Sequence, residues 1–410
     1  AAGREEVDPN ELLCVDFDLA MMHDSSGPRR IWTALYKLGV GLWDPDRIVI
    51  ASDHYVPAND LLAANIQKTT REFAAEFGIE KFHDAQGISH TLMIEKGYAR
   101  PGMLYVGADS HSCTAGATGC LAMGMGSTDM LGIVTTGRTW LRVPSTIRVE
   151  VTGQLPFGVT AKDLILTIIG ERGMDAGLYQ VLEFAGSAVE AMTMQERSVL
   201  TNMCAEIGAK AGVVPSDQTT IDHFAALGIE VEAGPWSDHD AVYSATWVYD
   251  GTAIEPVVAR PNRHDDVVPI SQLGDARINR AYIGSCTGAK YEDLAMAAEV
   301  LAGRTVDPGV LLQVAPASRA ALRQAMDDGT AQTLMDAGAH VLSIGCGACP
   351  GIGSGLLAAG EVSISTTNRN FRGRMGDPDS SVYLASPYSV AAAAVAGRII
   401  DARDLLEVTA

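Results

Sequence analysis

Cys346-Gly347-Ala348-Cys349-Pro350, taken with Gly284-Ser285-Cys286-Thr287-Gly288 far upstream, places three thiols in two loops of small residues. Each loop follows a run with strand character, Arg280 to Ile283 and His340 to Ile344. Glycine, serine and alanine let several sulfurs approach one centre without side-chain collision and let backbone N–H groups turn toward sulfur. Cys286 also precedes a helix-like segment, Tyr291 to Ala302, whose dipole favours thiolate over thiol. A four-iron cubane ordinarily takes four protein thiolates. Three thiolates leave one metal position open to a substrate oxygen, the logic that separates catalytic from structural zinc sites. On spacing alone zinc and an iron–sulfur cluster stand equal, with redox or core cysteines as a third reading.

Upstream, the chain repeats a unit of strand, polar loop and helix, the pattern of parallel α/β layers. Leu12 to Asp18 reads as a strand ahead of Met22-His23-Asp24-Ser25-Ser26-Gly27-Pro28, and Ile31 to Leu38 as a helix. A strand from Arg47 to Ala51 ends in Ser52-Asp53-His54, and a long helix, Leu61 to Phe77, follows. His90 precedes a helical Thr91 to Lys96, and the strand Met103 to Val106 runs into Gly107-Ala108-Asp109-Ser110-His111-Ser112-Cys113-Thr114. In open parallel sheets ligands sit beyond the carboxyl ends of strands, where these polar residues fall.

The alternation from Ser145 to Gln154 opens a second unit, whose helix Leu200 to Ala209 carries Asn202 and Glu206 on one face. Residues from about 231 to 270, acidic and carrying Pro235, Pro256, Pro261 and Pro269, read as a boundary. The third unit holds both cysteine loops, a strand Val310 to Val314, a helical run Ser318 to Ala337, and the arginine-bearing Asn368-Arg369-Asn370-Phe371-Arg372-Gly373-Arg374. Its last helix, Pro387 to Ile399, has Ser386 as N-cap. The division expected is 1–145, 146–265 and 266–410.

Composition narrows the function. A net charge of -20 over 410 residues opposes nucleic acid or an anionic membrane surface as partner. An anionic substrate then needs local arginines. Seven scattered cysteines form no disulfide framework and suit a reducing, cytoplasmic setting. The first residues lack a signal-peptide core, and no apolar run reaches the roughly 18 residues of a membrane span.

Four stretches in one order carry a resemblance to the aconitase and isopropylmalate dehydratase family, and above all to its separate large subunits. They are Gly107 to Thr114, Gly284 to Thr287, Cys346 to Cys349, and Asn368 to Phe371 with Gly373-Arg374. The resemblance implies three α/β/α domains packed around a [4Fe–4S] cluster held by Cys286, Cys346 and Cys349. It implies reversible dehydration of a hydroxy di- or tricarboxylate, with 3-isopropylmalate/2-isopropylmalate as first choice and dimethylmalate dehydratase or homoaconitase as alternatives.

It also implies roles. Asp53 and His54 handle the leaving hydroxyl, because a carboxylate beside an imidazole raises its pKa and fixes its tautomer. His90 and Asp109 form a second such pair beside His111. Ser110 and Asn202 bind substrate, and Glu206 acts near the open iron. Asn368, Arg369 and Arg374 make the anion-binding stretch, the arginines through charge-assisted bonds. Taken alone, each has a plainer reading: a solvated turn for Asp53-His54, a core histidine for His90, an exposed helix face for Glu206, surface arginines. Cys14, Cys113, Cys120 and Cys204 are assigned to packing.

Two departures are visible. The family often reads Asn-Gly-Arg after Gly-Ser-Cys-Thr, where this chain has Gly288-Ala289-Lys290, and lysine cannot make arginine's bidentate contact. Pro28 stands where citrate-type aconitases carry glutamine, which points away from citrate. The family's serine base, in a Gly-Ser-Ser-Arg-like loop of a swivelling domain, is not found here, so a small subunit supplying it is expected. Two rivals from other classes are an apo-form RNA-binding regulator, disfavoured by the charge, and a zinc-stabilised scaffold.

Overall fold

The computed structural model describes residues 1–234 and 236–406, so Pro235 and residues 407–410 of the expected third domain lie outside the described residues. The chain divides into two compact units: residues 1–84, 89–153 and 175–250, and residues 85–88, 154–174 and 251–410.

The first unit holds a five-stranded sheet, all parallel, in the order Phe82–Asp84, Ile48–Ser52, Leu19–His23, Leu104–Gly107, Leu121–Gly124. The chain enters at the middle strand, Leu19–His23, builds outward on one side, then crosses to the other. The reversal between Leu19–His23 and Leu104–Gly107 leaves a crevice at their carboxyl ends, where open α/β sheets bind ligands. His23-Asp24, Asp53-His54 and Asp109-His111 emerge from three adjacent strand ends there.

The expected strand Leu12 to Asp18 is a correction. Leu12–Asp16 pairs antiparallel with Arg138–Arg142 in a separate two-stranded sheet, and the site-bearing strand is Leu19–His23. Cys14, assigned to packing, is exposed on that small sheet; the other cysteines are buried, and all seven are unbridged.

A four-stranded parallel sheet in the same unit runs Ala211–Val213, Val181–Ala185, Thr146–Thr152, Ala245–Asp250. Beside it Met194–Met203 forms a helix opened by a Thr193/Glu196 capping box, worth on the order of 1 kcal/mol. Arg197, fully buried on that helix, grips Asp217 with two bonds of 2.7 and 2.6 Å. The helix stops at Met203, and Cys204–Ile207 is a 3₁₀ turn closed by Gly208 at φ 78°. Asn202 and Glu206 therefore do not share one α-helical face as expected, since the tighter turn rotates Glu206 away from the i+4 position.

The second unit is built on a seven-stranded sheet: Val267–Pro269, Val257–Ala259, Ser381–Leu384, Val362–Ser365, Arg280–Ile283, Leu311–Val314, His340–Val341. The first two strands are antiparallel additions to a parallel core. Arg280–Ile283 and Val362–Ser365 again mark a reversal, and Cys286 and Asn368 follow those two strands. The helix Ala161–Arg172, expected in the second domain, groups with this unit. The helical run Ser318 to Ala337 is two helices, Arg319–Asp327 and Thr330–Asp336, broken at Gly329 with φ 85°.

Candidate active site

In the first unit the carboxylate–imidazole pairs close into one network. His54 Nδ1 lies 2.7 Å from Asp53 Oδ1, and the other Asp53 oxygen accepts the Ser89 N–H at 2.6 Å. Burial opposes ionisation of Asp53, but the charge and hydrogen bond of His54 outweigh it and hold its carboxyl well below the usual range. Asp24, wholly buried, accepts the backbone N–H groups of His54 and Tyr55 at 3.2 and 3.0 Å, which fixes the loop carrying His54.

Asp109 is the hub. Its carboxylate takes the His111 N–H at 2.8 Å and lies 3.1 Å from His90 Nε2, 3.4 Å from His23 Nε2 and 4.0 Å from His54 Nε2. Burial disfavours its charge, but the imidazoles of His90, His111 and His23 win, and it is held well below the carboxylate range. His111 Nε2 in turn reaches Glu206 Oε1 at 2.8 Å, and Asn202 Nδ2 donates to Thr114 Oγ1 at 2.7 Å. Asp53, His54, His90, Asp109, His111, Asn202 and Glu206 thus stand on neighbouring loops and helix ends of the first unit. Ser110, between Asp109 and His111, is exposed.

His23 and Asp24 received no role from the sequence, though they stand in a quoted stretch. His23 is buried and stacks on His54 with ring centroids 4.1 Å apart and planes 7° off parallel. Burial works against its charge, yet hydrogen bonds to Asp109 and Asp24 with the charge of Asp53 push its pKa up to about 10. His23 is therefore an imidazolium at neutral pH. Because its folded pKa exceeds the ordinary 6.5, its contribution to stability is fully present below about pH 6.5 and lost as pH rises through about 10. Nitrogen NMR of the histidines at pH 8 is expected to show an imidazolium signal that disappears in His23→Gln. The same variant flattens the fall in stability between pH 7 and 10.

In the second unit Cys286, Cys346 and Cys349 are all buried. The Asn368 side-chain oxygen lies 3.9 Å from Cys286 Sγ and 3.7 Å from Cys349 Sγ, and its Nδ2 lies 3.6 Å from Cys286 Sγ. Asn368, expected among the anion-binding residues, is thus placed on the thiols. Tyr282, at the centre of its strand and buried, accepts the Ala348 N–H at 3.1 Å and so ties the strand to the second cysteine loop. A Cβ on Gly347 would stand 2.1 Å from that hydroxyl, and its φ of 54° suits glycine.

Two buried ammoniums brace the Cys286 loop, neither foreseen as such. Lys162 Nζ donates to Thr287 Oγ1, Thr366 O and Thr367 O at 3.1, 3.0 and 2.8 Å. Lys290 Nζ reaches Asp293 at 2.8 Å and Cys286 O at 3.3 Å. The Gly288-Ala289-Lys290 departure gains a physical reason. A Cβ at 288 would meet the Thr366 side chain at 2.1 Å, and Lys290 turns back into the helix start rather than outward. Of the arginines, Arg372 pairs with Asp379 on the surface at 2.8 Å. Arg369 and Arg374 are half-buried, and Arg374 Nε is buried with no partner among the described residues. A planar carboxylate is an acceptor to which such an N–H donates.

Hydrogen-bonded carboxylates and imidazoles thus stand at the strand ends of one parallel sheet, and three unbridged thiols lie in loops of the second unit. The model of the aconitase family (aconitate hydratase) matches residues 3–277 and 271–397. The chain belongs to the aconitase family.

It is 47% identical over 405 residues to a probable methanogen homoaconitase large subunit of Methanothermobacter thermautotrophicus, covering 97% of this chain and 94% of the relative. It is 44% identical over 411 residues to 3-isopropylmalate dehydratase large subunit 1 of Methanopyrus kandleri, covering 99% and 97%. Among solved structures, holo-form aconitase X of Thermococcus kodakaraensis superposes with a TM-score of 0.54 at 13% identity, over 90% of this chain and 88% of that one, a likeness of fold.

The family implies an iron–sulfur cluster, and the residues fit one. Among the described residues, ligand atoms gather within 4.8 Å of one another in His23-Asp24-Asp53-His54 and in His90-Asp109-His111. The three sulfurs form no such group, as a single zinc ion would require of them; irons that take one thiolate each do not require it. No helix among the described residues is long and apolar enough to cross a membrane.

Proposed function

We propose that this chain is the large, cluster-bearing subunit of a [4Fe–4S] hydro-lyase that reversibly dehydrates a hydroxy di- or tricarboxylate. The first substrate is 3-isopropylmalate/2-isopropylmalate. Homoaconitase activity is the second reading, favoured by the 47% identity to a relative of that name; dimethylmalate dehydratase activity is the third. The observation that carries the proposal is the pairing of buried Asp53 with partly buried His54 at 2.7 Å, in a chain that also buries three unbridged cysteines in small-residue loops. Names of relatives at near full-length match support a separate small subunit as partner, bearing the swivelling domain and serine base. A cytoplasmic setting and the division at 145 and 265 belong to the same proposal.

Cys286, Cys346 and Cys349 would hold the cluster, which when bound supplies a Lewis acid for the substrate's hydroxyl and carboxylate. His23, stacked on His54, steadies its ring, and Asp53, bonded to His54 Nδ1, fixes the tautomer so that Nε2 hands its proton to the departing hydroxyl. His90, Asp109, His111 and Glu206 form the relay that restores it. Ser110, Asn202, Arg369 and Arg374 orient the substrate, and Asn368 steadies the thiols it touches.

The purified chain, reconstituted with iron and sulfide, is expected to be inactive alone. With a small subunit of the isopropylmalate type it should produce the unsaturated acid, followed anaerobically by absorbance with isopropylmalate, homocitrate, dimethylmalate and citrate in parallel. Turnover by the large chain alone would sink the partner assignment, and citrate as best substrate would sink the reading of Pro28.

A further inference from the structure

Beside the proton-handling loops the first unit holds a recess of about 340 Å³, lined by Ser110, Gly124, Met125, Lys210 and small residues of the 205–209 turn. That volume falls at the lower end of small-molecule sites. Its position is informative. Ser110 is flanked by Asp109 and His111, and Ala205 is followed by Glu206, so both walls belong to segments already carrying the proton network.

Lys210 is the cation of this recess. Its ammonium is half-buried and has the Gly124 carbonyl at 3.2 Å, the Met125 sulfur at 3.9 Å and the Tyr179 ring centroid at 5.7 Å. Among the described residues no carboxylate lies within 4.0 Å of it. An ammonium has three donors, and one carbonyl and a thioether leave its charge largely uncompensated. Burial lowers its pKa, and Asp129 opposes that from a distance. Asp109 and Glu206 adjoin the lining residues Ser110 and Ala205 in the chain, yet neither lines the recess. An unpaired cation facing a small recess completes its coordination with an incoming anion.

We infer that this recess is a carboxylate subsite and that Lys210 is its anchor, holding one carboxylate of the acid while Ser110 hydrogen-bonds the same arm. The inference rests on the hydroxy-acid reading above and adds to it a residue and a place. Small walls matter here: the backbone of Gly124 and Gly208 lets a carboxylate approach where side chains would crowd it. Gly124 has no freedom to change, since a Cβ there would stand 2.6 Å from Asp109 O.

The test uses the iron-loaded chain with its small subunit, and two variants, Lys210→Met and Lys210→Arg. Binding of tricarballylate, an acid with no hydroxyl to lose, is measured by calorimetry beside turnover of the best hydroxy acid. Lys210→Met is expected to weaken tricarballylate at least tenfold and raise KM by a similar factor, with kcat within about threefold, and Lys210→Arg to recover most of both. Unchanged affinity in Lys210→Met overturns the inference. So does equal loss in both variants with a matching fall in Tm, the mark of a structural role. If no hydroxy acid is turned over yet tricarballylate binding still depends on Lys210, the functional reading fails and the subsite stands.

Discussion

Cys346→Ser is expected to lose most of its bound iron under anaerobic reconstitution, while Cys204→Ser keeps it. The reason is ligand chemistry. Serine offers a hard hydroxyl of high pKa where iron in a sulfide cluster takes a soft thiolate. Cys346 is buried in a loop whose geometry is fixed from below: Tyr282 takes the Ala348 N–H, and Gly347 leaves room for that hydroxyl. The loop therefore cannot shift to bring a distant donor into place. Cys204 is a fair control because it is also buried and, among the described residues, its sulfur bonds the Leu200 carbonyl at 3.4 Å. Iron per chain and visible absorbance read the outcome without any need for turnover. Full iron in both variants would remove Cys346 from the ligand set. A matching loss in both would mean that thiol burial, not ligation, governs loading.

What could be seen in the sequence, and what could not, follows the physics of each element. Residues that end parallel strands were legible, because glycine-, serine- and aspartate-bearing loops after β-rich runs mark strand ends wherever they occur. The strand Leu19–His23 was not. All five of its residues are buried, so it lacks the alternation that marks a half-exposed strand, and the neighbouring apolar run Leu12 to Val15 carried the strand reading instead. His23 and Asp24 lost their roles for the same reason, since no strand was seen to end there. The turn at Cys204–Ile207 was hidden because Asn202 and Glu206 at i, i+4 suit an α-helix perfectly well; Gly208 at the left-handed cap was the available signal. Lys162 could not have been found at all. It sits in an amphipathic-looking helix start, and its three acceptors come from residues 287, 366 and 367, which only the sheet brings to it. The cysteine loops and the arginine stretch were read as motifs, whereas the pairing of Asn368 with sulfur depends on the strand order of the seven-stranded sheet.

His54→Gln should leave iron content unchanged and lower kcat by about 10² to 10⁴, the range expected for loss of a general acid. Glutamine preserves the length and one hydrogen bond to Asp53 but carries no proton that titrates near neutrality. The backbone of residue 54 is held by Asp24 through its own N–H at 3.2 Å, so the loop is expected to stay in place. The stacked His23 loses its neighbour, yet its bonds to Asp109 and Asp24 do not involve the side chain of residue 54. This makes the variant a test of chemistry more than of folding. Asp53→Asn supplies the second arm: it keeps the shape but withdraws the charge that fixes His54 Nδ1–H, and should cost activity with iron content intact. Near-normal kcat at saturating substrate would show that His54 is a structural partner of Asp53 and that the proton reaches the leaving hydroxyl by another route, with the imidazoles around Asp109 next in line.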